Sequence, residues 1–264
     1  MFLTRVLTAA ALLAAFLAAL LWLDRAAFAA VVAAIVALAG YEWARLAGLA
    51  QAWAAGYAVL CAALFAILPG DIPLAPVLWG AALFWIIAVP WWLAAGVSSK
   101  DRAWLLAAGP GVLLPAAWAM AAMPPRLLLI TLGLVWIADT AAYLAGRAFG
   151  RRRLATTISP GKTWEGVAAG VVGCVIYAII CAMLNPDLGA RIQGAIWVPY
   201  LAGATLLCAA GIVGDLFESA LKRQAGAKDS GTLLPGHGGV LDRIDSATAV
   251  LPLGLLVLQA MGAL

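Results

Sequence analysis

The chain places carboxylates, hydroxyls and ammonium groups at spacings that could hold a divalent cation against phosphates. In GIVGDLFESALKR, residues 211–223, Asp215, Glu218, Ser219 and Lys222 fall at offsets of 0, 3, 4 and 7, which on a 3.6-residue helix is one stripe. Asp215 emerges directly from an apolar run, where a desolvated carboxylate demands a cation. Glu218 and Arg223 read equally well as the solvated end of that helix. In LLPGHGGVLDRID, 233–245, Asp242 and Asp245 stand three apart where another apolar run begins. A helical turn would set both carboxylates on one side, with Arg243 turned elsewhere. Such oxygens suit Mg²⁺, a hard cation usually held by one or two carboxylates, waters and substrate phosphates.

Other stretches are built for anions. Pro235, Gly236, Gly238 and Gly239 impose a tight, irregular backbone whose N–H groups can approach a phosphate closely. His237, among these glycines, could bond phosphate, hold the loop or act as a general base. In ISPGKTWEG, 158–166, Ser159 before Pro160 is expected to begin a helix, with Lys162 and Thr163 in its first turn. Backbone N–H groups, a hydroxyl and an ammonium would then form an anion site. The segment lacks the first glycine of GxxxxGK[ST] and is not a P-loop. Asp139 in WIADTAAYLAGRAFG, 136–150, lies inside an apolar segment, and Tyr143 and Arg147 continue its helical face. It must pair with another helix or border a wet cavity. Together these parts describe an interfacial site that joins a soluble nucleotide to a lipid phosphate.

The elements that position this chemistry are membrane helices. The chain is 66% hydrophobic and 11% charged, with a mean hydropathy of +1.05, far from the composition of soluble domains. Runs near 3–23, 26–47, 52–69, 77–95, 103–122, 126–146, 166–185, 194–214 and 244–263 are long enough to cross a bilayer. The expected fold is an all-α, polytopic integral membrane protein with about nine transmembrane helices in one domain. Residues 1–130 serve mainly as membrane anchor and 131–264 as the catalytic region. Val6–Leu23 is too long for a signal core and reads as a retained first span. The connection LPGDIPLAP, 68–76, separates two spans, and Pro110 and Pro115 are expected to bend the fifth.

With the N-terminus inside, only Arg25, Arg126 and Arg191 of the sixteen basic residues fall outside. The positive-inside bias therefore puts the N-terminus in the cytoplasm and the C-terminus outside. That places the active site on the cytoplasmic face of the inner membrane. The basic balance serves topology and anionic lipid. Nucleic acid is excluded as a partner, because the aromatics sit in spans and not among the charges. Cys61, Cys174, Cys181 and Cys208 lie in apolar segments without CxxC spacing and read as small buried hydrophobes. A secondary transporter would place its acids near the bilayer midplane; these clusters gather at one face.

The run SALKR, then KDSG, then LPGHGGVLDRID, residues 219–245, resembles the signature of the phosphatidate cytidylyltransferases, the CDP-diacylglycerol synthases. The preceding GDLFES and the earlier ISPGKTWEG also fit that family in order and placement. Gly161 departs from it, standing where a second basic residue is expected beside Lys162. The resemblance implies transfer of CMP from CTP to phosphatidic acid, with Mg²⁺ and a second cation at the leaving pyrophosphate. It implies Asp215 and Asp242 as leading metal ligands with Asp245 beside them, and Asp215, Asp242 and Lys222 as the catalytic group. Lys162, Ser159, Thr163, Ser219, Arg223, His237, Gly238, Gly239 and Arg243 would contact substrate. Partners would be CTP, phosphatidic acid, membrane lipids and a second copy in a homodimer. A CTP-dependent lipid kinase, or a cytidylyltransferase acting on another lipid phosphate, fits the same residues.

Overall fold

The computed structural model describes residues 2–67, 73–234 and 236–262. Pro235 and residues 68–72 of the expected interspan connection lie outside them. The chain order is α1 (Phe2–Trp22), α2 (Arg25–Leu46), α3 (Gln51–Ile67), α4 (Leu74–Leu83), α5 (Val89–Ala95), α6 (Arg102–Ala122) and α7 (Pro125–Phe149). A hairpin of β1 (Arg153–Ala155) and β2 (Ser159–Thr163) follows, then α8 (Trp164–Leu184), α9 (Pro186–Arg191), α10 (Trp197–Gln224) and α11 (Leu241–Ala260).

This is an all-α membrane protein carrying one small antiparallel hairpin. Among the described residues six helical runs are long and apolar enough to cross a membrane: Arg25–Leu46, Leu74–Ala95, Ser99–Ala122, Pro125–Phe149, Trp164–Leu184 and Gly194–Gln224. Val6–Trp22 and Gln51–Ile67 are apolar over shorter lengths. The final expected span, α11, carries Asp242, Arg243 and Asp245 in its first turns.

Small residues let the site helices approach closely, as membrane packing favours. α8 lies against α7 so tightly that a Cβ at Gly166 would stand 2.7 Å from the carbonyl oxygen of Ala142. α10 meets α11 in the same way, because a Cβ at Gly214 would come within 2.8 Å of the Asp245 carbonyl oxygen. Both halves of the chain share one core, in which Trp43, Trp85 and Leu105 pack with Phe217, Leu241 and Leu253.

A π turn at Phe84–Ala88 joins α4 to α5. It presents Phe84 and Trp85 to Phe217 of α10, with ring centroids 6.2 and 6.0 Å away, and Trp43 and Trp92 complete the aromatic nest. α6 runs as one helix through Pro110 and Pro115. Pro110 has no N–H for the carbonyl of Leu106, and the Tyr57 hydroxyl donates to that oxygen instead at 2.7 Å.

Loops expected on one side meet at one end of the bundle. Gln224 Nε2 donates to the Leu46 carbonyl at 2.7 Å, and Trp43 Nε1 to that of Leu105 at 2.7 Å. Arg223 Nε donates to the Ile158 carbonyl at 3.3 Å. The termini of α2 and α10, the start of α6 and the β-hairpin are thereby gathered there.

Candidate active site

α10 continues for 28 residues without interruption, so the stripe from Asp215 to Lys222 forms as its spacing dictates. Ser219 Oγ donates to Asp215 Oδ1 at 3.3 Å. The Lys222 ammonium reaches Asp242 Oδ1 at 2.7 Å and also pairs with Glu218 on its own helix. Glu218 is buried, its side chain only 4% exposed, and the side chains of Asp242 and Lys222 are 5% and 11% exposed. The solvated-end reading of Glu218 is therefore corrected: packing beside buried Phe217 carries it inward, and Lys222 supplies the charge that burial requires. Arg223 does remain exposed, and besides its bond to Ile158 it donates from Nη1 to the Ala227 carbonyl at 2.9 Å.

The expected helix start at Ser159 is also corrected. Residues 159–163 form strand β2, with Ser159 opposite Ala155 and Thr163 opposite Arg153. α8 begins only at Trp164, behind an extended Thr163 whose hydroxyl caps it by accepting from Gly166 N at 3.1 Å. The physical reason lies in the backbone partners. The Trp164 N–H donates to the Arg152 carbonyl, and Glu165 accepts from the amides of Arg151 and Arg152. Pro160, which lacks a donor, is tolerated in an edge strand. Thr163 is buried and its hydroxyl is committed to the cap. Lys162, in contrast, reaches Asp215 Oδ2 at 2.5 Å across the gap to α10.

Three carboxylates surround that lysine. Asp139, Asp215 and Asp245 lie within electrostatic reach of one another and of Lys162. Asp139 is exposed, and Asp215, Asp245 and Lys162 are half-buried. Asp139 also borders a narrow cavity with Cys208, Gly211 and Ser246. Ser246 Oγ is buried there with no hydrogen-bond partner among the described residues. Among the described residues no three His, Cys, Asp or Glu side chains close into a metal cage. A hard cation needs only one or two carboxylates when waters and phosphate oxygens supply the rest. All-oxygen donors that already attract an ammonium fit such an ion.

The glycine-rich loop is organised by Asp242. Its Oδ1 takes Lys222; its Oδ2 accepts from Ser230 N at 2.8 Å, Ser230 Oγ at 2.9 Å and Gly239 N at 2.8 Å. Gly239 is buried, and its N–H fixes the loop by donating to Asp242. At Gly238 φ is +80°, and a Cβ would strike Asp242 Oδ2 at 2.5 Å, so both conformation and space demand glycine. The outer wall of the loop opens onto a cavity of about 470 Å³ lined by Lys228, Thr232, His237, Gly238 and Arg243 among others. His237, Gly238 and Arg243 thus share one cavity, while Asp215 and Asp245 share the acidic cluster with Lys162.

Sequence reasoning missed Glu42. Assigned to the anchor, it is buried at 5% exposure on α2 and bonds to Ser230, Val240 and Leu241. An ionisable residue inside the apolar run 26–47 was the available signal.

The cytidylyltransferase family model matches residues 3–261. A phosphatidate cytidylyltransferase of Pseudomonas aeruginosa is 40% identical over 281 aligned positions, covering 98% of this chain and 97% of that protein. One of Haemophilus influenzae is 51% identical over 129 positions, or 48% of this chain and 43% of its own. One of Thermotoga maritima is 41% identical over 135 positions, covering 50% of this chain and 49% of its own.

Proposed function

The chain belongs to the cytidylyltransferase family, and from that premise we propose that it is a phosphatidate cytidylyltransferase, transferring CMP from CTP to phosphatidate to give CDP-diacylglycerol and pyrophosphate. The observation that carries this is the junction of two unlike surfaces at one end of the bundle. A cluster of carboxylates around a lysine lies on α7, α10 and α11, and a roomy, glycine-walled cavity with Lys228, Asp229 and Arg243 on its lining lies on the loop before α11.

Two anions must meet in this reaction, and the lipid phosphate itself attacks the α-phosphorus of CTP, so no side chain need be a nucleophile. The protein's task is to position the partners and offset their charge. Asp215 and Asp245 are suited to hold Mg²⁺ in the acidic cluster, and Asp242 would join them through the oxygen that Lys222 takes. Bound Mg²⁺, with a second cation, would screen the phosphates and stabilise the leaving pyrophosphate. Lys162 and Arg223, on facing elements, would grip phosphate. Arg243, His237 and Gly238 face the cavity proposed for the nucleotide. Ser219 orients Asp215, Thr163 and Gly239 hold backbone, and Ser159 stands on the strand that carries Lys162.

The sequence supports nine spans in one domain of the inner membrane, with the N-terminus and active site cytoplasmic and the C-terminus outside. Assembly as a homodimer rests on the resemblance alone. The functional test is purified protein with Mg²⁺, phosphatidate and base-labelled CTP. The expected result is cytidine-labelled lipid with release of pyrophosphate. Release of CDP with unlabelled lipid would make the protein a kinase, and labelling of another lipid phosphate but not phosphatidate would change the acceptor.

A further inference from the structure

We infer that Glu42 is a positioning residue for the nucleotide, acting from the membrane-anchor half of the chain through the glycine-rich loop. This rests on the proposed function only in naming CTP as the loop's ligand.

The Glu42 carboxylate is buried where α2 meets the loop, and each of its oxygens is used. Oε1 accepts from Val240 N at 3.0 Å; Oε2 accepts from Leu241 N at 2.8 Å and from Ser230 Oγ at 3.0 Å. Leu241 is the first residue of α11 and Val240 its N-cap, which offers no capping side chain. Glu42 therefore caps α11 from another helix, satisfying amides that would otherwise be orphaned at a helix start. Ser230 is within hydrogen-bond distance of both Glu42 Oε2 and Asp242 Oδ2. Its single hydroxyl proton serves two carboxylates, which ties the loop to α2 on one side and to α11 on the other.

The space around this carboxylate also explains two glycines. A Cβ at Gly231 would stand 2.7 Å from Glu42 Oε1, and a Cβ at Gly239 would stand 2.4 Å from both oxygens. The loop closes around Glu42 because these positions have no side chain. Gly231 and Gly238 also line the cavity proposed for the nucleotide, so the seat of Glu42 sets the shape of that wall.

Equilibrium binding of CTP in the presence of Mg²⁺, read alongside the thermal transition and steady-state kinetics, tests this. Glu42→Gln keeps the shape but opposes its amide hydrogens to the loop's donors. It should remain folded, weaken CTP binding by about tenfold or more, and lower kcat by up to about 100-fold, as small misplacements do. KM for phosphatidate should stay unchanged. Gly231→Ala, which crowds the same oxygen while retaining Glu42, should give the same split between the two substrates. In Glu42→Ala, which opens the space, adding Gly231→Ala should cost nothing further. Wild-type CTP affinity in folded Glu42→Gln and Gly231→Ala would overturn the proposal. So would loss of folding in both, which would leave Glu42 a purely structural residue. A wild-type protein that binds CTP but labels no phosphatidate would sink the functional reading and leave the binding comparison intact.

Discussion

The Lys162 ammonium lies 2.5 Å from Asp215 Oδ2, joining the β-hairpin to α10 at a point where Asp139 and Asp245 add further negative charge. Lys162 holds a place where three carboxylates attract a cation. Asp215→Asn removes one of the charges that would hold Mg²⁺ while keeping the side chain's shape. The expected outcome is a folded protein whose turnover falls by about 100-fold or more, the scale seen when one electrostatic contributor to a transition state is removed. Labelled-CTP turnover, with the thermal transition in detergent as the folding control, measures it. Full activity would remove Asp215 from the ligand set.

Lys222 calls for a different expectation. Its ammonium is shared between the buried carboxylates of Glu218 and Asp242, so Lys222→Ala would leave two desolvated carboxylates with no cation between them. Breaking a buried pair by removing one partner costs about 3–5 kcal/mol. This variant should therefore lose stability as well as activity, visible as a lowered denaturation midpoint. A variant that keeps its midpoint and loses only CTP affinity would instead make Lys222 a simple phosphate grip.

The sequence made the long membrane helices legible because their apolar runs are visible in composition alone. The stripe on α10 was equally readable, since Asp215, Ser219 and Lys222 depend only on local periodicity. What escaped depended on long-range partners. Ser159–Thr163 reads locally as a capped helix start, yet β1 and Glu165 satisfy its neighbourhood in another way. Glu42 lies 188 positions from the serine it bonds, and no spacing rule connects them. The charges of Asp242 and Asp245 pointed to one side of a helix, but Lys222 and Ser230 draw Asp242 into the loop.

Chelation should separate chemistry from folding. The acids of the site already have cationic or N–H partners from the chain itself: Lys162 on Asp215, and Lys222, Ser230 and Gly239 on Asp242. Removing divalent ions is expected to stop lipid labelling and leave the thermal transition nearly where it was. Zinc-finger-like domains, by contrast, unfold without metal. A large fall in the transition temperature on chelation would mean that an ion is part of the fold. Restoring Mg²⁺ should restore turnover without a refolding step.

Thr163 gives the sharpest test of the hairpin. Its hydroxyl accepts from Gly166 N at 3.1 Å and is buried at the start of α8, so it works as a cap. Loss of such a cap costs about 0.5–2 kcal/mol. Thr163→Ala should lower the denaturation midpoint by that order while leaving the KM for CTP unchanged, and Thr163→Ser should recover most of the stability because it keeps the acceptor. A rise in KM for CTP with no change in stability would instead place the hydroxyl on the substrate and require the α8 terminus to find another partner.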